Sequence, residues 1–290
     1  MYDQTFSRRT PGCIVVLLDR SESMKLPWGT SGFTLAQGAA RALNNILLEL
    51  CIKATKEPGA GPRHYFDFAV YGYGVRPKAG GEGVESALGG ALTGRDFVPL
   101  PELCGNPLAI REEPSIDAAS ITSKIPVWVE PESNYRTPMC QAIATAGGQV
   151  YEWANQHRDS FPPIVINITD GVVTDSPYEG ADLKGWAQRL TGIATTDGNA
   201  LLFNIFLSPD SAEPRMFPST PHGLPAPGPE LFEISSPLPA TMIDNARTSG
   251  VVVEPGARGL GFQANLEMLV RFLEIGTRIV DIQGPMRSFL

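Results

Sequence analysis

Asp19, Ser21 and Ser23 stand at alternate positions in the segment Cys-Ile-Val-Val-Leu-Leu-Asp-Arg-Ser-Glu-Ser over 13–23. In an extended chain, residues i, i+2 and i+4 point the same way. One carboxylate and two hydroxyls therefore converge just past the end of the apolar run. Hard oxygen donors without His or Cys suit magnesium or manganese better than zinc. Two other segments offer donors of the same kind. Thr137 lies in Asn-Tyr-Arg-Thr-Pro-Met over 134–139, and Asp170 lies in Ile-Val-Ile-Asn-Ile-Thr-Asp-Gly over 164–171. Singly, each residue has an ordinary use. The aspartates can cap the helices that follow, the serines are loop residues, and Thr137 before Pro138 suits a turn or a cap. Jointly, the ordinary uses require five coincidences, and a metal site requires none.

The elements that must position these groups are legible. The apolar run ending at Asp19 reads as a strand buried on both faces, as does the run ending at Asp170. After the first strand comes a loop over 26–32, then a helix over 34–56 with Thr34 as its cap and an apolar stripe from Leu35 to Leu50. A turn at 58–62 leads to a strand over 65–73. The region 74–133 is irregular. It holds a glycine-rich tract at 80–94, read as a flexible hairpin at the sheet edge, then a short apolar piece at 97–100, a weak helix over 115–124 and Val-Trp-Val at 127–129. The tract lacks the Gly-Lys-Ser/Thr ending of a phosphate-binding loop. Further on, the patterns predict a helix over 139–156, the strand to Asp170, a loop over 172–180, a helix over 182–194 and a strand over 200–207. A proline-dense stretch at 209–239 has no apolar period and reads as an ordered surface loop or arm. A helix over 241–248, a last strand over 251–254 and a helix to 277 capped by Asn265 complete the reading. Alternating strands and helices imply a doubly wound, mostly parallel α/β sheet with helices on both faces. Ligands of such sheets bind outside the carboxyl ends of the strands, where the strand order reverses.

Asp-x-Ser-x-Ser after a first strand, a lone Thr in a middle loop and Asp-Gly after a later strand resemble the metal-ion-dependent adhesion site of von Willebrand factor type A domains. The resemblance spans nearly the whole of 1–290, read as a single domain, with the segments 74–133 and 209–239 as inserts. It implies six strands in the order 3-2-1-4-5-6, with one antiparallel edge strand between 74 and 103. It implies that Ser21, Ser23 and Thr137 touch Mg2+ (or Mn2+) through neutral hydroxyls, while Asp19 and Asp170 act through water. The metal then keeps positive charge for a partner's Glu or Asp. It also implies a final helix that shifts on binding, as in integrin-type relatives. Thr-Pro-Met-Cys at 137–140 and the segment 258–277 are similar to intracellular bacterial proteins of the tellurite-resistance-associated type. That similarity implies a stress or conflict system with a kinase, phosphatase or AAA-type ATPase as partner.

The chain has 290 residues, 42% of them hydrophobic, enough for a sizeable core, and a net charge of −8 that argues against nucleic acid. No run is long enough for a signal core or a membrane span, which points to the cytoplasm. Cys13, Cys51, Cys104 and Cys140 are far apart and read as reduced core thiols. The rival is a haloacid-dehalogenase-type phosphohydrolase using Asp19, but that chemistry expects a second Asp where Ser21 stands. His64, His157 and His222 lie in no catalytic motif, so the chain reads as a non-enzyme. Glu22, Asp175, Glu130 and Glu132 are not assigned as ligands.

Overall fold

The computed structural model describes residues 1–277 except 56, 58, 75–82, 115–121 and 210–212. In chain order the elements are β1 (Gly12–Asp19), α1 (Leu35–Ala54), β2 (Phe66–Tyr73), β3 (Val84–Ser86), β4 (Val98–Pro99), α2 (Leu100–Gly105), β5 (Ala109–Pro114), β6 (Thr122–Val127) and α3 (Met139–Gln156). There follow β7 (Ile164–Thr169), α4 (Leu183–Thr191), β8 (Ala194–Thr195), β9 (Gly198–Asn199), β10 (Leu201–Leu207), β11 (Arg215–Met216), α5 (Gly228–Ile234), α6 (Ala240–Thr248), β12 (Leu260–Ala264) and α7 (Leu266–Thr277).

The main sheet runs β11-β12-β10-β7-β1-β2-β3, with β4 also on β2. The strands β2, β1, β7, β10 and β12 are parallel, and β3, β4 and β11 are antiparallel at the edges. The expected six-strand order is present, enlarged to eight by the two-residue strands β4 and β11. Alternate residues of β1 feed two cores. Ile14, Val16 and Leu18 pack with α1 and α7, while Cys13, Val15 and Leu17 pack with α3 and its neighbours. Every residue of β1 is therefore buried, which is why its sequence is a continuous apolar run rather than an alternation. The chain leaves β1 toward β2 on one side, while β7 lies on the other. The carboxyl ends of β1 and β7 thus flank the point where the strand order reverses.

Helix α1 opens with a reciprocal cap. The Gln37 amide donates to the Thr34 hydroxyl, and the Thr34 amide donates to Gln37 Oε1. Asn265 caps α7 by accepting from the Met268 amide.

Several expectations are corrected. Residues 251–254 form no strand. Val252 is exposed, and the parallel partner of β10 is β12, in the glycine-rich segment that follows. Valines favour strands only where an edge is free to pair, and that edge is taken by Leu260–Ala264. A side chain at Gly259 would collide with Phe203, so the glycine that weakens the pattern is what admits the strand. The helix expected over 115–124 lies partly outside the described residues, and its end is strand β6, antiparallel to β5. The stretch 209–239 is not merely a surface loop. It contributes β11 and α5, and Leu224, Leu231, Phe232 and Ile234 are buried against the sheet. Of the glycine tract, residues 80–82 lie outside the described residues, and the rest supplies the edge strand β3 and a short turn of helix at Gly90–Leu92.

The cysteine reading is also corrected. Cys51 and Cys104 form a disulfide between α1 and α2, while Cys13 and Cys140 are free and buried. Cys51 belongs to the helical stripe, and the insert folds back far enough to bring Cys104 against it. A spacing of 53 residues carries no local signal of that return. No helix among the described residues is long and apolar enough to cross a membrane.

Candidate functional site

Asp19 ends β1 and is buried. Its Oδ1 accepts from the Ser21 amide at 2.7 Å, and its Oδ2 accepts from the Thr169 hydroxyl at 2.6 Å. The Ser21 and Ser23 hydroxyl oxygens lie 3.1 Å apart, and Ser23 donates to Asp170 Oδ1 at 2.9 Å. A hydroxyl has one proton, so Ser21 is the donor toward Ser23. The Ser21 and Ser23 hydroxyls and Asp170 thus form a row of hydrogen-bonded oxygens at the ends of β1 and β7, which the Ser21 amide ties to Asp19.

Thr137 borders the same crevice at Gly171. A Cβ placed on Gly171 would lie 2.9 Å from Thr137 Oγ1 and 3.6 Å from Asp19 Oδ2. Only glycine at 171 lets the Thr137 hydroxyl and the Asp19 carboxylate flank the same point. The Thr137 backbone is held by the loop after β7. Its amide donates to Thr174 Oγ1, and its carbonyl accepts from the Thr174 amide, each at 3.0 Å. On its other flank the 134–137 loop is pinned to the β1 exit. The Asn134 amide donates to the Arg20 carbonyl at 2.7 Å, and the Glu22 amide donates to the Tyr135 carbonyl at 3.0 Å. Gly74 makes this approach possible. With φ +95°, its position would put a Cβ 2.5 Å from the Arg136 carbonyl and 2.8 Å from the Ser21 amide.

Burial pushes the Asp19 carboxyl up to about 7, against the hydrogen bonds from Thr169 and Ser21, and the neighbouring Asp170 adds to the rise. Burial also raises Asp170, opposed by Ser23. Two carboxylates facing each other in a crevice that disfavours their charge are the electrostatic condition that a bound cation relieves. Below them, Tyr73 donates to Asn167 Oδ1 at 2.7 Å, Asn167 donates to Asn204 Oδ1 at 3.0 Å, and Asn204 donates to Ser235 Oγ at 2.9 Å. This satisfied polar row runs beneath the oxygen cluster from β2 across to the end of α5.

The donor chemistry fits a small hard divalent cation. All five groups are oxygens, drawn from three segments, and the donating hydroxyls keep lone pairs. Among the described residues, no group of three or more His, Cys, Asp or Glu side chains is placed to hold a metal. The candidate set holds only two carboxylates, and the other three donors are hydroxyls.

The four unassigned acids have other work. Asp175 accepts from the Cys140 and Gln141 amides at 3.0 and 2.8 Å, capping α3, whose own cap position is Pro138. Glu22 pairs with Lys25, Glu130 with Arg111, and Glu132 with the buried Arg20 at 2.6 Å. Sequence reasoning missed Thr169 and Thr174. Thr169 was detectable, because it follows Ile168, which is paired with Leu18, and so stands beside Asp19. Thr174 and the capping role of Asp175 depend on a contact across more than thirty residues. The histidines are remote from the cluster. His64 holds Asp67, next to the start of β2 and at the opposite end of the sheet, His157 stacks on Trp153, and His222 is exposed in the proline-dense stretch.

No family model and no curated protein matches the sequence. Solved structures do. Proximal thread matrix protein 1 from the mussel byssus is 13% identical with a TM-score of 0.42, covering 92% of this chain and 47% of its own. The ArnB paralog VWA2 from Sulfolobus acidocaldarius is 14% identical with a TM-score of 0.33, covering 69% and 35%. The manganese-loaded TRAP protein of Plasmodium vivax is 13% identical with a TM-score of 0.31, covering 68% and 57%. The chain spans less than two thirds of each of these structures, and nothing about its site rests on them.

Proposed function

We propose that this chain is an interaction module of the von Willebrand factor type A kind, in which Asp19, Ser21, Ser23, Thr137 and Asp170 hold Mg2+ or Mn2+ and the metal takes a carboxylate from a protein partner. The observation that carries the reading is the hydrogen-bonded row of Ser21, Ser23 and Asp170, tied to Asp19 through the Ser21 amide, with the Thr137 hydroxyl and the Asp19 carboxylate on either side of Gly171. When bound, the cation supplies positive charge that neutral hydroxyl ligands do not cancel. The chain's own residues do the rest. Ser21, Ser23 and Thr137 present lone pairs. Thr169 orients Asp19, and the Thr174–Asp175 loop fixes the height of Thr137.

The reading is non-catalytic. With Ser21 where a second carboxylate would be needed, and with the three histidines elsewhere, a phosphohydrolase using Asp19 lacks its general acid. A generic aryl phosphate assay separates the two readings. A bacterial stress or conflict system, with a kinase, phosphatase or AAA-type ATPase as partner, extends the same proposal. The cytoplasmic expectation is weakened by the Cys51–Cys104 disulfide, a bond characteristic of oxidising compartments. Mass mapping of alkylated thiols in the native chain decides between compartments.

Calorimetric titration tests the metal. The parent takes up Mg2+ or Mn2+, and Asp19→Ala does not. A pull-down in magnesium retains a partner that EDTA releases. Equal uptake and equal partner binding by Asp19→Ala would sink the proposal.

A further inference from the structure

Nine large hydrophobic residues are exposed among the described residues, and three of them lie within three positions of a candidate ligand in three separate segments. Leu26 follows Ser23 and is 45% exposed, Tyr135 precedes Thr137 and is 41% exposed, and Val172 follows Asp170 and is 60% exposed. Each is tied to the cluster by the backbone around it. The Leu26 amide donates to the Ser23 carbonyl, and the Tyr135 carbonyl accepts from Glu22 beside Ser21. Val172 adjoins Gly171, the residue over which Thr137 and Asp19 meet. A polar centre rimmed by exposed apolar side chains from three segments offers a partner apolar contact, and tyrosine is enriched among residues that dominate such contacts.

The charges point the same way. Glu22 is paired with Lys25, the Arg136 guanidinium lies 5.5 Å from the centre of the Tyr135 ring, and Asp175 is spent on α3. The surroundings of the cluster are therefore close to balanced, and the chain as a whole carries −8. A strongly acidic partner would be repelled at long range by the net charge, and beside the cluster it would meet acidic groups, Glu22 and Asp175, as well as the basic Lys25 and Arg136. Recognition must then come from apolar contact around a single charge.

We propose that the partner segment presents one Asp or Glu flanked by bulky apolar residues, which seat on Leu26, Tyr135 and Val172, and that polyacidic segments are rejected. This rests on the metal reading above and names the partner class for it. The test is a random-peptide display library panned against the full chain in magnesium and eluted with EDTA. The expected result is enrichment of peptides with a single acidic residue next to Leu, Ile, Phe, Tyr or Trp. Synthetic copies should lose roughly tenfold in affinity for Tyr135→Ala and for Val172→Ser, while calorimetry gives unchanged magnesium uptake in both variants. Enrichment of polyacidic peptides would overturn the proposal, as would unchanged peptide affinity in both variants or no EDTA-eluted peptide from a chain that binds magnesium. A parent chain that takes up no magnesium would instead overturn the metal reading, so the two failures are distinguishable.

Discussion

Asp19 and Asp67 are both buried carboxylates on the neighbouring strands β1 and β2, at opposite ends of the same sheet. Asp67 is gripped by rings. His64 Nε2 lies 2.7 Å from its Oδ1, and the Trp153 indole donates to its Oδ2 at 2.9 Å. An indole N–H can only donate, and each Asp67 oxygen is engaged by a ring held in the surrounding packing. Asp19 is held by one amide and one hydroxyl, opposite a second carboxylate that is itself held by a hydroxyl. Hydroxyls can turn from donating to accepting. The first arrangement ties the sheet to α3, and the second can re-form around a newcomer.

The largest expected effect is on the ambivalent end. Asp19→Asn should weaken magnesium binding by roughly 10- to 100-fold, as loss of a group that orients a metal's ligands does, measured by calorimetry. The same change should cost the apo protein less than about 1 kcal/mol, because Thr169 can reverse its hydroxyl to accept from the new amide. Next comes the fixed end. Asp67→Ala should lower stability by roughly 1–3 kcal/mol, since the buried indole loses its acceptor, read from urea denaturation, with magnesium binding unchanged. If both substitutions moved stability alone, the contrast between the two ends would collapse. Smaller again, Asp175→Ala should cost about 1 kcal/mol through the uncapped α3 amides. It should also weaken magnesium binding by less than Asp19→Asn does, because the loop that sets Thr137 loosens.

Much of the architecture could be read from pattern because the pattern had a local cause. The apolar run before Asp19 is continuous because both faces of β1 are covered, and Thr34 with Gln37 signals the start of α1. For the candidate donors the expected cause differs from the observed one. Strand alternation was to send Asp19, Ser21 and Ser23 to one side, but β1 ends at Asp19 and the chain turns into a short 3-10 helix at Glu22–Lys25, and that turn carries Ser23 to Asp170. What escaped was set by distant partners. The Val-Val-Val-Glu segment at 251–254 has strand propensity and no free edge, whereas Leu260–Ala264 looks poor and owns the edge. Cys104 finds Cys51 only because the insert returns to α1. The expected Glu or Asp ligand and the movement of α7 concern a bound state, and the fold of the chain alone does not address them.

One polar side chain on α1 receives the returning insert. Asn44 of α1 accepts from the amides of Trp128 and Val129 and donates to the Val129 carbonyl, just before the stretch that carries Glu132 and Thr137. Together with the disulfide, this ties the insert to α1 on both sides of the β5–β6 hairpin. The β5–β6 hairpin is thereby a natural cassette. A fluorescent reporter or a second binding domain spliced there would ride on the module without disturbing the geometry at its mouth.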